Sequence, residues 1–225
     1  GHSTNLIADE GGISIPFKSV DEACEFVISV IEKVGLIVGD QVGLALDIAS
    51  TQFFDSGKYN LANIDKSYTS EEFVKYINNL VSNQPIISIE DPFAEDDWSA
   101  WQQFMTIAPK KLQVLGDDLL TTNLDRLNKA IDQKSANAIL IKANQNGLVT
   151  STLNVLKQAR ANNFNTVVSA RSGENEDSWL SDLATGWSAG QIKVGSTHGS
   201  ERNAKWNRLL EFEAVEKTKF LNPFN

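Results

Sequence analysis

Cysteine is almost absent. Cys24 is the only one in 225 residues, and it falls in an apolar helical pattern, so the chain offers neither a disulfide framework nor a thiolate zinc site. A reducing compartment suits it. Long hydrophobic runs are also missing: nothing approaches the roughly 20 apolar residues a membrane-spanning helix needs, and the first residues lack the basic-then-apolar layout of a signal peptide. These absences predict a cytoplasmic protein that does not enter a membrane. Positive charge is in deficit, with 20 Lys plus Arg against 29 Asp plus Glu and a formal net charge of −9. Such a surface repels nucleic-acid phosphates and anionic lipid. An anionic small substrate stays open, because a few cations gathered in one cleft outweigh a distant negative surface. No Pro/Gly/Ser-rich linker divides the chain, so one domain over residues 1–225 is expected. Gly1, His2 and Ser3 read equally as an expression remnant or as native sequence.

What the chain does have is alternation. Short apolar runs at residues 42–47, 86–90, 112–116, 138–142, 166–169 and 191–194 are separated by amphipathic stretches of helical length. The runs are apolar on both faces, as strands of a buried parallel sheet should be. Ser19 with Glu22 and Thr69 with Glu72 have capping-box spacing, which marks two helix starts. Further helices are expected from about Asp96, Asn123, Thr150, Glu174 and Ser200. The regular strand-to-strand interval favours a (β/α) barrel over a doubly wound sheet. Six strands are readable where a closed barrel needs eight.

Charge collects where those strands end, which in a parallel barrel is where the loops converge. Asp47 ends one run, Glu90 ends the next, and Asp117 with Asp118 follows the third. Carboxylates that meet in this way repel one another unless a cation lies among them, and an oxygen-only ligand set suits Mg²⁺. The next strands change sign: Lys142 ends the fourth, Arg171 follows the fifth and Lys193 lies in the sixth. Acids followed by bases are expected to make a site for a metal and an anion together, and a lysine ending an apolar strand is placed to act as a base. Elsewhere the bland reading wins. Glu95-Asp96-Asp97 is expected to be a negatively charged first helical turn. Trp98, Trp101 and Phe104 fall at helical spacing and are expected to pack. Asp9-Glu10-Gly11-Gly12 reads as a turn on its own, and His198 as a loop residue.

The segment Ser88-Ile-Glu-Asp-Pro-Phe-Ala-Glu-Asp-Asp-Trp98 resembles the corresponding stretch of enolases. The resemblance extends in order to Asp9-Glu-Gly-Gly12, Leu46-Asp-Ile-Ala-Ser50, Gly116-Asp-Asp-Leu119, Lys142-Ala-Asn-Gln145, Arg171-Ser-Gly-Glu174, Gly190-Gln-Ile-Lys-Val-Gly195 and Ser200-Glu-Arg202. It implies an enolase-like TIM-type barrel lacking its first two strands and its N-terminal domain. It also implies dehydration of 2-phosphoglycerate to phosphoenolpyruvate in glycolysis, with Mg²⁺ stabilising the enolate. By motif, Asp47, Glu90 and Asp117 would hold the metal and Lys142 would be the base. Glu10 would assist departure of the C3 hydroxyl, Lys193 would hold the substrate carboxylate, and Arg171 with Ser172 would take the phosphate. Three departures stand out: Ala170 occupies the place of a family histidine, Gly199 that of an arginine, and Ala143 that of a valine. They leave room for a second expectation, a catalytically impaired relative that keeps its metal site in a binding or structural role. Open sheet edges, and the dimeric habit the resemblance implies, point to a homo-oligomer or to another chain that completes the barrel.

Overall fold

The computed structural model describes residues 7–216, Thr218 and residues 220–224. Gly1, His2 and Ser3 lie outside them. The chain divides into two compact units, a central one of Phe17–Ala138 and a split one of Gly1–Pro16 with Ile139–Asn225.

The central unit opens with helix α1 (Val20–Lys33). Ser19 caps it by accepting a hydrogen bond from the Glu22 amide, while the Glu22 carboxylate accepts from the Lys18 amide at 2.6 Å. Only half of the expected box therefore forms. Strand β1 (Leu44–Asp47) follows, and then a short antiparallel sheet of β2 (Phe54–Asp55), β3 (Lys58–Leu61) and β4 (Lys66–Thr69) that sequence reading did not anticipate. Helix α2 (Ser70–Asn83) carries the complete capping box on Thr69 and Glu72. After it come β5 (Ile86–Glu90), α3 (Trp98–Ile107), β6 (Gln113–Gly116) and α4 (Leu124–Gln133). Strand β5 pairs in parallel with β1 on one side and β6 on the other. Burial is continuous along β6 and nearly so along β5, the pattern of a sheet covered on both faces. Beside it the rings form one cluster. Tyr59 stacks on Phe73 at 4.3 Å between centroids, and Phe93 meets the edges of Trp101 and Phe104.

Strand β7 (Ala138–Ile141) carries the chain into the split unit. There follow α5 (Ala143–Asn146), α6 (Val149–Ala161), β8 (Asn165–Ser169), α7 (Trp179–Gly186), β9 (Gly190–Lys193) and α8 (Ser200–Glu216), with β8 and β9 paired in parallel. The class is the expected α/β, an incomplete TIM-type barrel with six of the eight strands that closure requires. Among the described residues no helix is long and apolar enough to cross a membrane.

Two helix starts differ from expectation. The α3 helix begins at Trp98, and Asp97 is its cap: one carboxylate oxygen accepts from the Ala100 amide, and the other from the hydroxyls of Tyr59 and Ser70 at 2.8 and 2.6 Å. The acids therefore precede the first turn instead of forming it. The α7 helix begins at Trp179, five residues later than Glu174 suggested. Glu174 is drawn out of a helix-starting role by tertiary bonds, accepting from the Arg171 amide at 2.9 Å and pairing with Lys205 at 3.0 Å. Trp101 and Phe104 are fully buried as expected, whereas Trp98 is half-buried beneath the Lys129 ammonium, 3.9 Å from its ring centre.

Candidate functional site

In the central unit the parallel register brings acids to one end of the sheet. Asp47 is the partner of Glu90 across β1 and β5, and Asp117 follows the last residue of β6. Directly after β5 the backbone turns through Asp91 at φ 40°, a left-handed conformation that short polar side chains tolerate best. The turn aims the Asp91 carboxylate at the next strand end, where its two oxygens accept the amides of Asp117 at 3.0 Å and Asp118 at 2.8 Å. Glu90, Asp91 and Asp117 are all buried, and one ligand oxygen from each lies within 4.8 Å of the others. Burial pushes the Asp91 carboxyl up to about 8, and the charges of Asp117 and Asp118 push the same way against the two amide bonds. Three buried carboxylates this close are costly without a cation, and their all-oxygen donor set is the type hard divalent ions take. The chemistry of the residues therefore fits a metal such as Mg²⁺. Asp47 stands at the exposed end of β1, beside Glu90 in register but outside that trio. Sequence reading named Glu90 and Asp117 and missed Asp91. Its signal was the acid immediately before Pro92, a residue with no N–H to donate to a strand ladder.

The split unit gathers the other candidates. Lys193 ends β9 opposite Ser169 of β8, and its carbonyl accepts the Ala170 amide at 2.9 Å. The Ala170 methyl is buried. Arg171 and Ser172 follow on an exposed loop, and Lys142 is half-buried at the start of α5. The loop holding Glu10 lies against the end of β9. The Ser196 amide donates to the Glu10 carbonyl at 2.9 Å, and the Ser196 hydroxyl donates to the Gly11 carbonyl at 2.5 Å. Two glycines permit that approach. A Cβ on Gly195 (φ 121°) would come 2.7 Å from the Glu10 carbonyl oxygen, and one on Gly11 (φ 79°) equally close to the Ser196 hydroxyl. Glu10 thereby reaches Ser172, whose hydroxyl donates to its carboxylate at 2.5 Å. His198 is an exposed loop residue. A Cβ on Gly199 would meet the Glu201 carboxylate, the far end of a flexible side chain that would have to move aside.

The Ser172 hydrogen bond is the largest influence on Glu10 and, with the charges of Arg202 and Lys193, holds its carboxyl below the usual value. The stabilisation it gives is present above that usual value and is lost as pH falls through the lowered one. Ser172→Ala is therefore expected to shift the Glu10 titration to higher pH, read by carbon NMR of labelled glutamate. An unchanged titration would mean that the bond does not persist in solution.

A family model described as the enolase C-terminal TIM barrel domain matches residues 1–220.

Proposed function

We propose, since the chain belongs to the enolase C-terminal TIM barrel family, that it serves the Mg²⁺-dependent dehydration of 2-phosphoglycerate to phosphoenolpyruvate. The observation that carries this reading is the buried trio of Glu90, Asp91 and Asp117, which matches the need of a doubly and triply charged acid substrate for a cation. When bound, the cation supplies positive charge to the carboxylate as negative charge develops there. In this reading Asp47, Glu90 and Asp117 hold it. The Lys142 amine takes the proton from C2, the electron pair left behind forms the C2–C3 double bond, and the C3 hydroxyl leaves as water with a proton from Glu10, which takes that proton up from solvent once substrate draws the Ser172 hydroxyl away. Lys193 holds the substrate carboxylate, while Arg171 and Ser172 take the phosphate. The Ser172 hydroxyl, now given to Glu10, is a donor that binding would redirect.

The test is turnover. The 225-residue chain with 2-phosphoglycerate and Mg²⁺ is followed by the absorbance of the enol product, and Lys142→Ala serves as control. Product formation abolished in the control supports the reading. No product, together with Mg²⁺ stabilisation that disappears in Asp117→Asn, supports instead a metal-binding relative that does not turn over.

One observation favours that second reading. Ala170 places a buried methyl beside Lys193, where the enolase resemblance implies a histidine. Ala170→His is expected to raise kcat by roughly 10²-fold or more if the missing imidazole limits the reaction, the usual worth of a positioned acid–base group. A rate unchanged by the substitution would show that position 170 is not what limits this chain.

A further inference from the structure

Helix α8 carries two cations that no water reaches. Arg202 and Lys205, one turn apart, are both 0% exposed. A buried cation is tolerated only when its donors are used and its charge is matched, so their partners reveal what they hold. The Arg202 Nη1 donates to the carbonyls of Arg171 at 2.9 Å and Val194 at 2.8 Å. Its Nη2 donates to those of Ser172 at 2.7 Å and Asp9 at 3.3 Å. Glu201 supplies the counter-charge, 3.3 Å from Nε, a buried donor that makes no hydrogen bond and is matched by that charge alone. Lys205 donates to the Asn175 carbonyl at 2.5 Å and pairs with Glu174 at 3.0 Å, and Glu174 in turn accepts the Arg171 amide.

Every acceptor of the two Arg202 amino groups is therefore a backbone oxygen, and the four oxygens come from three separate segments. One precedes Glu10, one is the Arg171–Ser172 pair itself, and one follows Lys193. We propose that Arg202 is a positioning residue whose buried guanidinium fixes the backbone beneath Glu10, Arg171, Ser172 and Lys193 as a single unit. The planar fork of a guanidinium presents donors in several directions at once, whereas a lysine ammonium offers three from one point. Lysine at 202 keeps the charge but cannot span the four carbonyls. What those segments do for a substrate rests on the function proposed above; the arrangement itself, and the test of it, do not.

The test reads geometry through Glu10, on the full chain. Arg202→Lys preserves the charge that acts on Glu10, so any change in the Glu10 titration reports the lost Ser172 contact and not a lost field. The expected result has two parts. The Glu10 carboxyl in Arg202→Lys titrates as high as in Ser172→Ala, and amide exchange at Gly11, Arg171 and Ser196 quickens by roughly tenfold for each bond lost, while amides of β6 are unchanged. Wild-type titration and exchange in the folded variant would overturn the proposal. Should Arg202→Lys fail to fold, native-state exchange of the unaltered chain decides. Gly11, Arg171 and Ser196 must then open together, with one shared dependence on denaturant. Separate openings would overturn the proposal equally.

Discussion

Asp91→Asn is expected to lower the affinity of the proposed metal site for Mg²⁺ by about 10–100-fold, the usual cost of removing a group that orients a metal ligand. Both oxygens of Asp91 accept backbone amides, those of Asp117 and Asp118. An asparagine has one oxygen and one amino group, so one of those amides would face another donor. The Asp117 carboxylate then loses its fixed distance from Glu90. The metal-free protein responds differently. Burial raises Asp91 to about 8, so at neutral pH the metal-free carboxyl is largely protonated and a neutral asparagine changes its charge little. The expected signature is a nearly unchanged melting temperature in EDTA together with a much smaller rise on adding Mg²⁺. At a fixed excess of Mg²⁺, a 100-fold loss of affinity removes about 2.7 kcal/mol of ligand stabilisation. Asp117→Asn, which alters a proposed ligand itself, should abolish the rise. A full Mg²⁺ response in Asp91→Asn would mean that the backbone alone holds Asp117 in place.

How much of this was legible follows from what each residue's role depends on. Strands β5 to β8 could be read because burial on both faces leaves an apolar run that local sequence displays. Strands β2 to β4 could not. They are short, and Tyr59 is buried between exposed Lys58 and Asn60, an alternation too brief to separate from a loop. Of the acid trio, Glu90 and Asp117 were visible because a charged residue beside an apolar run is conspicuous. Asp91 was not, because its role depends on a left-handed turn that aims it across the sheet. Arg202 was quoted only as part of a motif. That it lies fully buried on four carbonyls from three distant segments is a tertiary fact that no local pattern carries. Glu174 shows the opposite error: a plausible helix start whose carboxylate is claimed by Lys205 and the Arg171 amide.

Trp101→Ala is expected to destabilise the chain by about 3–5 kcal/mol, a large share of the roughly 5–15 kcal/mol that keeps a domain folded. The indole is fully buried, with its edge against Phe93, and its Nε1 donates to the Ala94 carbonyl at 3.1 Å. That carbonyl lies three residues after Asp91, in a segment held almost wholly by side chains. The Ser50 hydroxyl donates to the Pro92 carbonyl, the Ala94 amide to the Tyr59 hydroxyl, and the Glu95 amide to the Thr51 hydroxyl. Arg126 donates to the Glu95 carbonyl at 2.6 Å. Alanine at 101 therefore leaves a cavity and also removes one of the two donors to the Ala94 carbonyl, which keeps the Asp97 amide at 3.1 Å, in the strap that leads away from the acid trio. Trp101→Phe separates the two effects: the ring volume is largely kept, and the cost should fall to about 0.5–1.5 kcal/mol, the net worth of one hydrogen bond to a carbonyl that keeps its other donor. Denaturant midpoints of the two variants measure the difference. If Trp101→Phe costs as much as Trp101→Ala, the hydrogen bond to Ala94 and not the ring's packing holds the strap. Mg²⁺ affinity should then fall in both variants alike.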